Sequence, residues 1–105
     1  MPERFDNVSV ICKANVYFEG KVVSHGVLFK DGSKKTIGLI YPGTYTFNTD
    51  APEHMEIISG ACRARRAGET SFTEYMGGDA FRVPGKSSFD ISVDSGVCEY
   101  VCSFE

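Results

Sequence analysis

The chain has no tryptophan, only two histidines and only four prolines in 105 residues. His25 and His54 are too few to build a histidine-rich metal centre. Cys12, Cys62, Cys98 and Cys102 form no Cys-x-x-Cys pair, so a structural zinc site has little support. Four free thiols in a reducing cytoplasm is the reading that follows, with Cys62, Cys98 and Cys102 as small core residues. No apolar run approaches the ~18 residues of a membrane span, so no membrane partner is expected. The start, Met1-Pro2-Glu3-Arg4-Phe5-Asp6, lacks the apolar core of a signal peptide, which argues against secretion. Basic excess is missing too. Eleven Lys and Arg stand against 14 Asp and Glu, a net charge of −3, so there is no general surface for a nucleic-acid backbone.

What is present is the composition of one soluble domain. Hydrophobic residues make up 42% and charged residues 24%, which is outside the disordered range. A chain of this length buries roughly 65% of its unfolded surface, enough for one core without staples. Eleven glycines and 12% aromatics (Phe 8, Tyr 5) point toward strands and turns.

Period-2 alternation runs through the chain. Phe89-Asp90-Ile91-Ser92-Val93-Asp94 alternates apolar and polar, and Phe81-Arg82-Val83 repeats the pattern in miniature. From Val97 to Phe104, Cys98, Tyr100, Cys102 and Phe104 share one face. Further strands are expected at Val16–Ser24, Val27–Lys30, Thr36–Tyr41, Thr44–Asn48, Met55–Arg65 and Phe72–Met76, with residues 1–14 as an N-terminal extension or edge strand (Val8–Asn15). Turn signals separate them, among them Asp31-Gly32-Ser33, Pro42-Gly43, Gly77-Gly78-Asp79 and Pro84-Gly85. Pro52–Ile58 is the one stretch with a helical aspect, and Ile57-Ile58 and Gly60 argue against a long helix. The sum is an all-β chain, a sandwich or a barrel.

Two spaced frames narrow the fold. Gly43, five residues, Thr49-Asp50-Ala51, Glu53, six residues and Gly60 resembles the first cupin motif. Gly78, five residues, Pro84 and, five residues on, Phe89 resembles the second. That resemblance implies a cupin-like double-stranded β-helix, or jelly roll, over residues 15–105. The metal-binding histidine places of such a barrel fall on Phe47 and Thr49, or on Thr49 and Ala51, and on Phe89. Only Glu53 remains as a ligand, so the resemblance implies a barrel without its metal.

Longer strings carry a closer resemblance. Tyr45-Thr46-Phe47-Asn48-Thr49, Pro52-Glu53-x-Met55-x-Ile57-Ile58-Ser59-Gly60-Ala61 and Phe81-x-Val83-Pro84-Gly85-x-Ser87-x-Phe89 resemble the small pyrimidine/purine nucleoside phosphorylases. Tyr17-Phe18-Glu19-Gly20-Lys21-Val22 and Tyr100-Val101-Cys102 extend the match. The resemblance implies phosphate-dependent cleavage of purine and pyrimidine nucleosides to free base and ribose 1-phosphate. It implies broad base specificity, inorganic phosphate as co-substrate, no metal or organic cofactor, and a homodimer. The same barrel without catalysis, binding a small metabolite, stays open because fold does not fix function.

Such a reaction has an oxocarbenium-like transition state and needs no nucleophilic side chain. Glu53 is the candidate catalytic residue, accepting from ribose hydroxyls and stabilising positive charge at C1′; its alternative is an exposed turn carboxylate after Pro52. Tyr45, Phe47 and Thr49 share a strand face and, with Phe89, are the candidate substrate-binding residues. Phe47 and Phe89 would sandwich the base, or else are plain barrel core. Lys34 and Lys35, beside Ser33 and Thr36, and Lys86, beside Ser87, are the candidate phosphate ligands, or else solvated surface charges. Arg63, Arg65, Arg82 and His54 are weaker candidates for the site.

Overall fold

A computed structural model of the chain describes residues 2–105. In chain order its strands are β1 (Ser9–Val10), β2 (Asn15–Tyr17), β3 (Val22–Leu28), β4 (Lys34–Ile40), β5 (Gly43–Asn48) and β6 (Glu53–Ser59). There follow β7 (Ala61–Arg66), β8 (Thr73–Met76), β9 (Ala80–Val83), β10 (Ser88–Val93) and β11 (Cys98–Phe104). They form two antiparallel sheets. The larger runs β1-β3-β4-β11-β6-β9 with β2 also on β3, and the smaller runs β5-β10-β7-β8. From β4 onward the chain changes sheet at nearly every connection, and only β7 and β8 are consecutive in one sheet. This winding is the cupin-like, all-β arrangement expected from the spaced glycines.

Alternation builds the core. In β10, Phe89, Ile91 and Val93 point inward and are buried, while Asp90 faces out to Arg65 and Thr46. Cys98, Tyr100 and Cys102 of β11 face the same interior. Ile40, Ile57 and Val22 complete it. Val101 lies on the other face of β11 and is buried as well, because Pro2–Phe5 crosses that outer surface. The N-terminal segment contributes only two residues, Ser9 and Val10, to an edge strand.

Two expected strands are broken, each by left-handed backbone. Met55–Arg65 divides at Gly60, whose φ is +80°, into β6 and β7 of different sheets. A Cβ on Gly60 would run into the Val97 carbonyl oxygen, so the turn also needs the missing side chain. Val16–Ser24 is interrupted by a short 3-10 turn, Phe18–Gly20, with φ of 51° at Phe18 and 57° at Glu19. Such angles cost roughly 1–2 kcal/mol per non-glycine residue. The turn sets the Phe18 ring against Tyr45 and Phe47, at 4.9 and 5.4 Å between centroids, and that packing offsets the strain. Residues 27–28, expected to open a separate strand, simply continue β3. The stretch from Pro52 carries no helix; it is β6.

Candidate active site

Between the two sheets lies a cavity of about 640 Å³, open to solvent on one side. The larger sheet supplies polar atoms: Ser24 from β3, Thr36 from β4, Glu53 from β6, and Tyr100 and Cys102 from β11. The smaller sheet supplies Phe47 from β5 and Phe89 and Ile91 from β10, with Thr46 and Asn48 of β5 beside Phe47. Tyr17 and Phe18 close one side. Among the described residues no cation lines this space.

Glu53 opens β6, paired with Phe104 on one side and Val83 on the other. Burial pushes its carboxyl pKa up, and a hydrogen bond from the Cys102 thiol to Oε1, at 3.5 Å, pulls it partly back. Among the described residues it is the one carboxylate that lines the cavity. Tyr100 is nearly buried. Desolvation drives its phenol well above the ordinary range, and a hydrogen bond with Ser24 opposes this. Its ring crosses β4 at Gly38, where a Cβ would come within 2.8 Å of it. Asn15 Nδ2 in turn donates to Ser24 Oγ at 3.3 Å. At neutral pH the cavity therefore offers one negative charge and several neutral hydroxyls across from the Phe47 and Phe89 rings, with Thr46 and Asn48 beside them. Such a site favours a neutral ligand bearing hydroxyls and a flat ring, and it stabilises positive charge developing on that ligand.

The sequence candidates divide. Glu53, Phe47 and Phe89 line the cavity. A base between the two phenylalanines is excluded, however: their centroids are 5.6 Å apart with planes 22° from parallel. They already stack on each other, whereas a sandwiched ring needs roughly twice the usual stacking distance. The pair forms one wall. Tyr45 does not line the cavity; it is core, and its hydroxyl donates to the carbonyls of Tyr41 and Pro42 at 2.7 and 2.9 Å. Thr49 is buried structural polarity as well. Its hydroxyl donates to the Pro84 carbonyl at 2.6 Å and accepts from the Ser87 amide at 3.0 Å, tying the end of β5 to the β9–β10 turn. Thr49→Val keeps the shape and removes both bonds. It is expected to cost about 1–3 kcal/mol in urea unfolding, with turnover per folded molecule unchanged.

The lysines divide too. Lys34 has the strand parity of Thr36, and its stem folds over Gly26, with Cε 3.2 Å from where a Cβ there would sit. Lys35 faces away, its ammonium over the rings of Phe5 and Phe29 at 5.5 and 5.6 Å. Lys86 is exposed in a turn at φ 50°. Arg63 and Arg65 pair with Asp94 and Asp90 on the outer face of the smaller sheet, both at 2.9 Å, and Arg82 pairs with Glu105. Ser24, Thr36, Tyr100 and Cys102 are the residues that sequence reasoning missed as site residues. Alternation did place Tyr100 and Cys102 on one face, but that face read as core. The signal was polar atoms recurring on it, and their convergence depends on strand register.

The family model for "Pyrimidine/purine nucleoside phosphorylase" matches residues 12–104. The chain belongs to that family. Among curated relatives, a pyrimidine/purine nucleoside phosphorylase of Cupriavidus pinatubonensis is 58% identical over 101 residues, 96% of this chain and 95% of the relative. One of Methylobacillus flagellatus is 58% identical over 102 residues, 97% and 98% of the two chains. Among solved structures, a protein of unknown function from Acinetobacter sp. ADP1 superposes with a TM-score of 0.94 at 50% identity, covering 97% of this chain and 98% of that one. The EutQ protein of Clostridium difficile, at 14% identity and a TM-score of 0.64, covers 77% of this chain and 59% of that one, and shares the fold alone. Glu53, Phe47 and Phe89 all fall within the matched span of this nucleoside phosphorylase family.

Proposed function

We propose that the chain catalyses phosphorolysis of purine and pyrimidine nucleosides, with inorganic phosphate as co-substrate and no metal. The observation that carries this reading is the cavity that brings Glu53, several hydroxyls and the Phe47–Phe89 pair together. A single carboxylate and a row of hydroxyls face the Phe47–Phe89 wall across a space of about 640 Å³. That volume lies within the ~300–1,000 Å³ usual for small-molecule sites.

In this reading the ribose hydroxyls lie against Glu53, Thr36, Ser24 and Tyr100, and the base lies flat against the face that the phenylalanine pair presents. Stacking rewards any π-face, so base specificity is broad. A phosphate oxygen bonds to C1′ as the C1′–N bond breaks, and the bonding pair leaves with the base, which takes a proton from solvent. Glu53, unneutralised by any lining cation, stabilises the oxocarbenium character at C1′. Lys34, which shares the strand parity of Thr36, is the residue that would hold phosphate, and Lys86 is the reserve candidate. The reading extends to a cytoplasmic homodimer, for which exposed Val16, Tyr17 and Phe104 offer apolar surface beside the cavity.

The test is release of free base and ribose 1-phosphate from inosine and uridine, measured with and without phosphate. No phosphate-dependent release from a panel of nucleosides would sink the proposal. Lys34→Ala is expected to raise KM for phosphate about tenfold or more while KM for nucleoside moves little. Unchanged phosphate dependence would remove Lys34 from the site.

A second reading, a barrel that binds a small metabolite without turnover, is favoured by one observation: among the described residues no cation lines the cavity. It predicts nucleoside binding by calorimetry with no base released.

A further inference from the structure

We propose that Cys102 is a positioning residue of the cavity: its thiol is the fixed donor that holds the Glu53 carboxylate, leaving Oε2 to accept from a bound hydroxylated ligand.

The register brings this about. Cys102 is opposite Thr36 on β4 and Met55 on β6. Glu53 lies two residues from Met55 on the same face, the diagonal position that a longer side chain spans. The outcome is the 3.5 Å contact from Sγ to Oε1, and Cys102 is the hydrogen-bond partner of this carboxylate among the described residues. Thr36, the β4 residue opposite Cys102, lines the same cavity. The direction of the bond follows from chemistry. Burial, reinforced by the negative charge of Glu53, keeps the thiol protonated at neutral pH, whereas an ionised carboxylate has no proton to give. A neutral donor is also the kind this site tolerates. An ammonium or guanidinium in the same place would neutralise the charge that the cavity directs at its ligand.

The other groups facing Glu53 do not substitute for it. Tyr100 on β11 interacts with Ser24, and Tyr17 of β2 lines the cavity beside Phe18. Thr36 and Ser24 do not titrate, and Val83, Phe47 and Phe89 carry neither charge nor polar side-chain atoms. Lys34 begins β4 two residues before Thr36, its stem over Gly26, and is not among the residues lining the cavity.

The experiment follows the Glu53 carboxyl band by infrared titration, assigned by its loss in Glu53→Gln, in the unmodified protein, Cys102→Ala and Cys102→Ser. Removing a donor to the charged form raises a carboxyl pKa. The midpoint is expected to rise by about half a pH unit in Cys102→Ala and to return toward the starting value in Cys102→Ser, which restores a donor. Equal shifts in the two variants, or none in either, would overturn the proposal, since packing alone does not distinguish a hydroxyl from a methyl in this way. Should the variants fold poorly, the unmodified protein still decides. One S–H stretching band should move with the carboxyl midpoint, and an S–H spectrum indifferent to that titration is fatal.

The consequence for turnover rests on the phosphorolysis reading. The acid limb of kcat/KM should move up with the carboxyl in Cys102→Ala, with KM for phosphate unchanged. A protein with no phosphorolysis at any pH defeats that reading, and the carboxyl titration still tests this one.

Discussion

Glu53→Gln is expected to lower phosphorolysis of both inosine and uridine by about 100- to 1,000-fold in kcat, with much smaller changes in either KM. Such a loss matches what removal of one preorganised electrostatic group costs in other enzymes. The amide keeps the size and one hydrogen-bond acceptor but not the charge, so it separates binding ribose from stabilising the cation at C1′. The measurement is steady-state kinetics with base and ribose 1-phosphate both quantified. A kcat within a fewfold of the unmodified enzyme would remove Glu53 from the mechanism and return it to an ordinary rim carboxylate.

The same variant makes an opposite prediction for stability. Burial holds the folded Glu53 pKa above its unfolded value, with the Cys102 bond working weakly the other way. A carboxyl raised in this manner favours the fold at pH below its unfolded pKa. That contribution is lost as pH rises through the folded value. At neutral pH the ionised group is therefore a burden, and Glu53→Gln should raise Tm there, with the advantage shrinking on acidification. A site residue whose removal stabilises the protein is what a functional charge in a half-buried place should look like. For the unmodified enzyme, activity should fall on the acid side with a midpoint above that of a free glutamate.

Gly38→Ala is the second large effect, and it acts through Tyr100. The added Cβ would lie 2.6 Å from the Val23 carbonyl oxygen and 2.8 Å from Cε1 and Cζ of the Tyr100 ring. The carbonyl belongs to the neighbouring strand, where Ser24 pairs with Gly38, and it has little room to retreat. Tyr100 must turn, either into the cavity or away from Ser24. The expected cost is about 2 kcal/mol, or roughly 10 °C in Tm. KM for nucleoside should rise more than KM for phosphate. The sign is diagnostic, because alanine in an uncrowded strand is better tolerated than glycine. An unchanged or higher Tm would mean that the ring does not cross the strand at Gly38.

Much of this architecture is legible in the residue order. Strict alternation in Phe89–Val93 and in Cys98–Phe104 identified two inward faces, and the buried residues of β10 and β11 are those faces. The glycines and Pro84 at cupin spacing pointed to a barrel wound between two sheets. Gly60 was read as an obstacle to a helix, yet its greater effect is to divide one expected strand between the two sheets. No periodicity reports that, since the pattern before and after Gly60 is equally strand-like. Phe18 and Glu19 at positive φ are invisible in the same way, because neither residue type favours that backbone.

Within the site, Glu53 stood out because it sits in a spaced motif where neighbouring ligand places carry none. Parity with Phe47 made Tyr45 and Thr49 candidate substrate-binding residues. Parity assigns a face, but not the depth along the barrel or the partner of each hydroxyl. Both hydroxyls turn out to be committed to backbone groups, and only Phe47 reaches the cavity. Lys34 and Lys35 are adjacent and indistinguishable by composition. Alternation sends them to opposite faces, and the rings of Phe5 and Phe29 hold the second one outside.

The sequence by itself determined the class of the molecule: an acidic all-β chain without a histidine-based metal motif, in a recognisable phosphorylase family, with one carboxylate at a motif position. Those properties reside in composition, period and spacing, which survive without knowing what lies opposite what. The tertiary structure decided which polar atoms meet. Glu53 touches Cys102, 49 positions away, and Tyr100 lies across Gly38 toward Ser24. Contacts of that kind are set by strand register, and a slip of one residue would turn every one of these side chains to the other face.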